Sequence, residues 1–200
     1  GGILALAKGL CHVSPVHLLD EQTGQYNTSQ LQRYFGREPM VLVQGMRRLQ
    51  GLMVATGNPK NIRDFKDLVR PEVGWVNRQR GSGTRLLLDF HLKEKGLSPE
   101  NIRGYGFEGN THMAVAVAVA SGEADAGLGI YSAALAMGLE FIPLVYENYD
   151  FLIRERALEE PRIQAWLTYL QSPAFVDLVE ALGGYELERP GSWMPLGGSL

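Results

Sequence analysis

The feature that most restricts the fold is a strand pattern that runs through a glycine-rich turn directly into a helical pattern. Residues 72–77, EVGWVN, are typical of a short buried strand, and the turn RGSGT follows. Residues 84–95 then separate an apolar face from a polar face, and Gly96 stands where a helix is expected to end. A helix that leaves a strand this way packs back on a sheet, so a layered α/β architecture is expected.

The rest of the chain repeats this alternation. Further helices are predicted at residues 1–9, 31–35, 62–71, 111–121, 132–138 and 172–183, and strands at 11–19, 40–55, 123–131 and 140–155. We expect a kink near Gly45 or Arg47 to divide 40–55 into two strand segments, and Pro71 to end the helix before it. Alternating Ala and Val in 111–121 suit a strand, but the strand that follows needs a crossover, which favours a helix. The pattern predicts an α/β fold with largely parallel sheets.

Composition excludes several classes of protein. The net charge of −3 over 200 residues argues against a broadly basic, nucleic-acid-binding surface. Cys11 is the single cysteine, so neither a disulfide framework nor a cysteine-rich zinc site is expected. No apolar run reaches 18 residues, and no charged segment precedes the first apolar stretch. We therefore expect no membrane span and a cytoplasmic location, or a periplasmic one if a leader has been removed.

The turn itself has the chemistry of an anion site. Arg78 and Arg80 supply charged, forked donors, and Ser82 and Thr84 supply hydroxyl groups. Gly83 lets the backbone approach a ligand, and the amides of a helix N-terminus attract negative charge. The alternative is a tight strand-to-helix turn with a capping hydroxyl and solvated arginines. The motif is neither a nucleotide-binding phosphate loop nor a nucleophile elbow.

Other candidate residues carry two interpretations each. Thr111 either donates to a ligand or caps a helix, and Tyr131 either lines a ligand site or packs. Arg47 or Arg48 either faces a ligand or is an edge charge.

Two further groups of residues are weaker candidates. His17, Asp20 and Tyr26 lie near one polar loop, but no second pair with metal-ligand spacing accompanies them. Cys11 and His12 are neighbours on a strand pattern, so they point to opposite faces and do not form a nucleophile pair.

Five segments in fixed order resemble a known family. RQRGSGTR is similar to the Arg-x-x-Gly-Ser-Gly-Thr loop of type II periplasmic binding proteins for phosphate. HLLDEQTGQYN, QGLMVATGNPKNIRDFKDL, NRQRGSGTR, THMAVAVAVASGEADAGLGI and LEFIPLVYENYDFLI together resemble one subgroup, from His17 to Ile153. That subgroup is the periplasmic-binding-protein-like domain fused to DNA-binding regulators or to molybdopterin-biosynthesis proteins of the MoeA type.

The resemblance implies a type II periplasmic-binding-protein fold with two lobes, mixed and largely parallel sheets, two crossing strands and an interlobe cleft. We expect lobe 1 to hold residues 1–70 plus 143–200, lacking an upstream first strand, and lobe 2 to hold 71–142. Closure of the lobes on a ligand would signal to a fused or associated DNA-binding or molybdopterin-biosynthesis domain. Direct nucleic-acid binding and membrane contact are not expected.

The resemblance also implies a small oxyanion ligand: molybdate, tungstate or a molybdenum-cofactor-related ligand, with sulfate and phosphate as further occupants. Arg78, Ser82, Gly83 and Thr84 match the positions that contact anions in phosphate binders. Arg80 departs from them, because phosphate binders commonly carry an acid there that accepts a proton from the ligand, and Arg80 accepts none. A fully deprotonated dianion is therefore favoured over hydrogen phosphate. The alternatives are an enzyme on the same fold, a phosphate-binding protein, or a degenerate site that serves only assembly.

Overall fold

A computed structural model describes residues 2–20, 22–36 and 38–196. The α-helices are α1 Gly2–Ala7, α2 Thr28–Phe35, α3 Gly83–Glu94, α4 His112–Ala120, α5 Tyr131–Ala136, α6 Pro161–Leu170 and α7 Pro173–Leu182. The strands are β1 Val13–Val16, β2 Met40–Val54, β3 Trp75–Arg78, β4 Glu108–Gly109, β5 Ala126–Ile130, β6 Glu140–Arg154, β7 Tyr185–Glu186 and β8 Trp193–Pro195. Short 3₁₀ turns lie at Phe65–Val69, Pro99–Asn101 and Glu155–Glu159. None of the helices in these three ranges is long and apolar enough to span a bilayer.

The chain divides into two compact units. The first comprises Gly1–Arg48 with Glu147–Leu200, and the second comprises Leu49–Tyr146. The boundaries thus lie at Leu49 and Glu147, whereas the sequence led us to expect them near Arg70 and Pro143. The reason is visible in residues 50–70: the end of β2 pairs with β5, and Gly57 donates its N–H to Glu140, so this stretch is held by the second unit.

The second unit is built on a sheet in the order β2–β5–β3–β4. β2 and β5 are antiparallel, whereas β3 runs parallel to both β5 and β4. Helix α4 packs its buried face, including Val115 and Val119, against Met53 and Val76 of the sheet. This arrangement buries the strand faces that the apolar sequence pattern predicted.

The strands of the first unit pair in antiparallel ladders. β1 pairs with β6, and the first part of β2 pairs with β7 and β8. Val41 and Ile153 of the long strands meet Leu167 of α6 and Phe175 of α7 in one apolar core. Helix α6 was missed in the sequence, although Pro161 stands at its first turn and the buried residues Ile163, Leu167 and Leu170 have helical spacing.

The structure confirms several predicted elements. Residues 111–121 are helical in spite of their two-residue alternation, with Thr111 and Ser121 as the flanking caps. Helix α7 begins after the cap Ser172 and ends at Gly183, which has a φ of 68°.

Two predicted elements were wrong. β2 is one continuous strand without a break near Gly45. The glycine is needed there because the backbone of Tyr149 approaches it closely: a Cβ at Gly45 would lie 2.1 Å from the carbonyl oxygen of Tyr149. The segment before Pro71 forms only a five-residue 3₁₀ turn, which starts at an Asp64 capping box.

A strained turn precedes α2 in the first unit. The N–H of Thr28 donates to the carbonyl of Tyr26 at 2.9 Å, and Asn27 between them has φ 68° and ψ −65°, a rare γ-turn conformation. Asn27 is fully buried. Its Oδ1 accepts from Leu18 N at 2.7 Å, and its Nδ2 donates to Asp150 Oδ2 at 2.8 Å. These bonds offset the backbone strain and fix the direction of the chain into α2.

We predict that Asn27→Ala lowers the free energy of unfolding by about 2–4 kcal/mol, because it leaves two buried polar partners unsatisfied. Asn101→Ala, at an exposed 3₁₀ position, serves as the control and should change stability by less than about 0.5 kcal/mol. Urea unfolding measures both. A loss below about 1 kcal/mol for Asn27→Ala would show that the side chain does not hold this turn.

Candidate functional site

Two long helices of the second unit begin at the same edge of its sheet. β3 and β4 are parallel and in register, with Asn77 opposite Glu108 and Arg78 opposite Gly109. Helix α3 follows β3, and α4 follows β4, so their N-termini lie beside each other at the carboxyl edge of the strands. The carboxyl edge of parallel strands is where α/β proteins commonly bind ligands.

The connection from β3 to α3 is a tight turn. Ser82 N–H donates to the Gln79 carbonyl at 3.2 Å, and Gly81 has a φ of 81°, a conformation that glycine adopts without strain. Arg80 projects from this turn, and its side chain is 88% exposed. The glycine thus allows the chain to reverse within a few residues and to present the helix terminus to solvent.

Ser82 caps helix α3. Its Oγ accepts from Arg85 N at 3.2 Å and keeps its own O–H as a donor. The N–H groups of Gly83 and Thr84 precede that of Arg85, so the helix offers them no carbonyl acceptor. This end of α3 therefore combines backbone donors, one hydroxyl donor and the positive end of a helix dipole.

The Thr84 side chain turns inward. Thr84 is 3% exposed, and its Oγ1 accepts from Gln50 Nε2 at 3.0 Å. Gln50 lies on β2 and is fully buried. Thr84 can therefore offer a ligand its backbone N–H, while its hydroxyl anchors the helix to the sheet.

Arg78 links the two helix starts. Its Nε donates to Gln79 Oε1 at 3.1 Å and its Nη2 donates to the Asn110 carbonyl at 3.2 Å. A second link is the Gln79 N–H, which donates to the Gly109 carbonyl at 3.3 Å. The guanidinium group of Arg78 is thereby held beside the N-termini of α3 and α4.

The third arginine of the motif is used inside the protein. Arg85 is 5% exposed and bonds Asp89 and Glu108, each at 3.1 Å, with its guanidinium 4.3 Å from the Tyr105 ring centre. Tyr105 donates its O–H to Asp89. Burial, and then this hydrogen bond, raise the pKa of Tyr105 above its ordinary value. Glu108 also lies 4.0 Å from Arg80 Nε.

The remaining predicted residues lie at the same sheet edge. Thr111 is exposed and caps α4, with Oγ1 accepting from Ala114 N at 2.9 Å. Tyr131 follows β5, the other parallel neighbour of β3, and its half-buried ring packs edge-on against Phe141 at 5.4 Å. All seven predicted ligand residues thus belong to the second unit, namely Arg78, Arg80, Ser82, Gly83, Thr84, Thr111 and Tyr131.

The first unit carries a separate buried ionic cluster. Glu147 is 1% exposed and bonds Arg48, whose guanidinium lies 4.8 Å from the Tyr149 ring centre. His17 stacks on the same ring at 5.4 Å, with Nδ1 3.8 Å from Glu147 Oε2. Burial, and then the Glu147 charge, raise the pKa of Tyr26. From the sequence, Arg48 was considered as either a ligand contact or an edge charge, and His17 as a weak candidate for metal binding. Glu147 and Tyr149 were not singled out.

In the polar loop, hydrogen bonds engage the carboxylate of Asp20. Asp20 accepts from Ser29 Oγ and from Gln22 N, and the Ser29 bond is the main reason that the pKa of Asp20 is lowered. Residues 2–20, 22–36 and 38–196 contain no group of three or more His, Cys, Asp or Glu side chains placed to hold a metal ion.

Comparison with known families identifies the chain. The family model described as "PBP superfamily domain" matches residues 1–171. The chain belongs to the PBP superfamily. The chain is 38% identical over 189 residues to YvgK of Bacillus subtilis strain 168, a protein described as uncharacterized. The match covers 94% of this chain and 61% of YvgK, so the chain spans less than two thirds of that relative.

Solved structures support the same PBP-like, two-lobe α/β fold. One is assigned as a phosphate ABC transporter substrate-binding protein from Clostridium perfringens and holds phosphate: the TM-score is 0.65 at 14% identity, over 94% of this chain and 84% of that one. Another is the regulatory domain of MetR, a LysR family regulator from N. meningitidis: the TM-score is 0.59 at 14% identity, over 94% and 80%. At such identities the likeness establishes the fold alone.

The site also depends on residues that sequence reasoning did not assign to it. Glu108 and Tyr105 contact Arg85 and so help to hold the start of α3. Gln50 donates a hydrogen bond to Thr84, which anchors the same helix to the sheet. Gln50 lies within residues 40–55, which the sequence predicted as strand, and it was not assigned to the site. The available signal was weak, because Gln50 is one of several polar residues in this strand and only burial shows that its amide needs a partner.

We predict that Thr84→Val destabilises the second unit by about 1–3 kcal/mol, because the Gln50 amide is left buried without its partner. The double variant Gln50→Leu with Thr84→Val should recover much of this loss. A double-mutant cycle by urea unfolding measures the coupling. Additive effects of the two single variants would contradict the pairing.

Proposed function

We propose that this chain is a ligand-binding or sensor domain that takes a small oxyanion, with molybdate or tungstate favoured, at the Gly-Ser-Gly-Thr turn. A molybdenum-cofactor-related ligand carrying such a group would use the same donors. The ligand would meet Arg78, Arg80, the Ser82 hydroxyl and the amides of Gly83 and Thr84, with Thr111 and Tyr131 at the same sheet edge.

The observation that carries this proposal is the side-by-side start of α3 and α4 with Arg78 between them. Two helix N-termini and one guanidinium group converge, and each favours negative charge. Asp89 and Glu108 neutralise Arg85, so that residue is not part of the proposed ligand shell. The proposal favours binding over catalysis, because the acids beside the turn are tied to Arg85 and Tyr105 rather than presented for proton transfer.

The choice of a dianion follows from the hydrogen-bond donors of the turn. Arg78, Arg80 and the amides of Gly83 and Thr84 only donate hydrogen bonds, so a ligand oxygen that kept its proton would find no acceptor among them. Glu108 lies 4.0 Å from Arg80 Nε, and its Oε1 also accepts from Arg85 at 3.1 Å, so in this structure the carboxylate serves these two arginines. A tetrahedral dianion without protons, such as molybdate or tungstate at neutral pH, fits this set better than hydrogen phosphate does.

We further propose that a fused or associated domain reads the ligand state. The YvgK relative is longer than this chain, and the MetR domain shows that this fold occurs in a transcriptional regulator. A DNA-binding or molybdopterin-biosynthesis partner is the proposed reader, so this domain would not contact nucleic acid itself.

We predict that molybdate or tungstate raises the thermal stability of the chain more than phosphate or sulfate does at matched ionic strength. At 100 times the dissociation constant a ligand adds about 2.7 kcal/mol to the stability of the folded state. Arg78→Ala and Ser82→Ala should each remove most of this gain, while Arg63→Ala, an exposed arginine outside the site, should retain it. Equal or tighter binding of phosphate in calorimetry would refute the choice of ligand.

We also predict that Glu108→Gln tightens oxyanion binding by about 1.4- to fivefold, since an exposed ion pair contributes about 0.2–1 kcal/mol. In the native protein Glu108 competes with the ligand for Arg80. Glu100→Gln, an exposed position on the Pro99–Asn101 turn, is the matched control and should leave affinity unchanged. Weaker binding by Glu108→Gln would mean that Glu108 assists the ligand instead of competing with it.

A further inference from the structure

The C-terminal segment of the first unit leaves a cavity against β2. This segment pairs with β2 at two places: Glu186 lies opposite Arg47, and Trp193 lies opposite Val43. Between these pairs the C-terminal segment has more residues than β2 has, so it arches away from the strand. Beneath the arch is a cavity of about 390 Å³, a size typical of small-molecule sites.

A buried carboxylate lines this cavity. Asp150 of β6 is 8% exposed, and each of its oxygens receives one hydrogen bond, from Gly45 N at 3.1 Å and from Asn27 Nδ2 at 2.8 Å. A carboxylate oxygen accepts more than one hydrogen bond, so Asp150 keeps acceptor capacity beyond these two bonds. A ligand group that donates hydrogen bonds would stabilise this charge, which burial otherwise disfavours.

The rest of the lining favours a cation with an apolar body. Among the described residues that line the cavity, three are acidic and two are basic. Arg47 is ion-paired to Glu186 at 2.6 Å, which leaves Asp150 and Glu188 against the single charge of Arg189. Tyr26 and Trp193 also line the cavity, and aromatic side chains attract cations through their π faces.

We infer that this cavity is a binding site for a small organic monocation, with its ammonium or guanidinium group on Asp150 and its apolar part against Trp193. A bare metal ion fits poorly, because a single ion would leave most of the 390 Å³ unfilled and the described residues hold no metal-binding group of acids. The site lies wholly within the first unit, whereas the oxyanion turn lies wholly within the second, so either site can fail without the other.

The test uses three probes with the same six-carbon body and different head groups: hexylamine, hexanol and hexanoate. In ¹⁵N-labelled protein, hexylamine should shift the Trp193 indole N–H and the Gly45 amide saturably, and hexanoate should not. Trp193→Phe assigns the indole signal among the three tryptophans. Equal saturable shifts with hexanol, or stronger shifts with hexanoate, would overturn the cation assignment.

Two variants test the role of the acids. Asp150→Asn should weaken hexylamine binding by roughly tenfold or more, since a hydrogen bond to a charged group contributes on this order. Glu188→Gln should weaken it by a smaller factor and keeps the test decisive if Asp150→Asn does not fold. Glu155→Gln, an exposed acid on the Glu155–Glu159 turn, is the control and should bind like the native protein. Unchanged affinity in folded Asp150→Asn or in Glu188→Gln would contradict the inference.

Discussion

The proposed function depends on one constraint, the start of α3 at the carboxyl end of a parallel strand. A helix N-terminus cannot satisfy its own first N–H groups, and at a sheet edge the packed core cannot satisfy them either. Ser82 takes up the N–H of Arg85 and leaves those of Gly83 and Thr84 for another acceptor. The parallel pairing of β3 and β4 brings the start of α4 beside these donors. A ligand anion is the partner that this geometry suits.

Local charge compensation determines how much positive charge the turn offers. Three arginines in nine residues would repel one another if none were neutralised. Asp89 and Glu108 pair with Arg85, and Tyr105 covers its guanidinium face. This pairing makes Arg85 part of the framework and leaves Arg78 and Arg80 as the cations of the proposed site. A net charge of −3 for the chain is therefore compatible with a local site for anions.

The sequence predicted features that depend on near neighbours and missed those that depend on distant ones. The caps Ser82, Thr111 and Ser172 were predictable because cap and helix are adjacent. The Thr84 hydroxyl was assigned to the ligand because its partner Gln50 lies 34 positions away. Gly45 looked like a kink, since only the fold reveals which backbone approaches it. Boundaries of the two units shifted for the same reason: β2 and β6 each contribute to both units.

Anomalous diffraction from crystals grown with tungstate tests the central claim most directly, because tungsten can be located without reference to any assumed site. The account predicts a tungsten peak within hydrogen-bonding reach of the Ser82 hydroxyl and the amides of Gly83 and Thr84, with the Arg78 guanidinium beside it. A tungsten peak bound elsewhere in the chain, with the start of α3 empty at saturating tungstate, would contradict it.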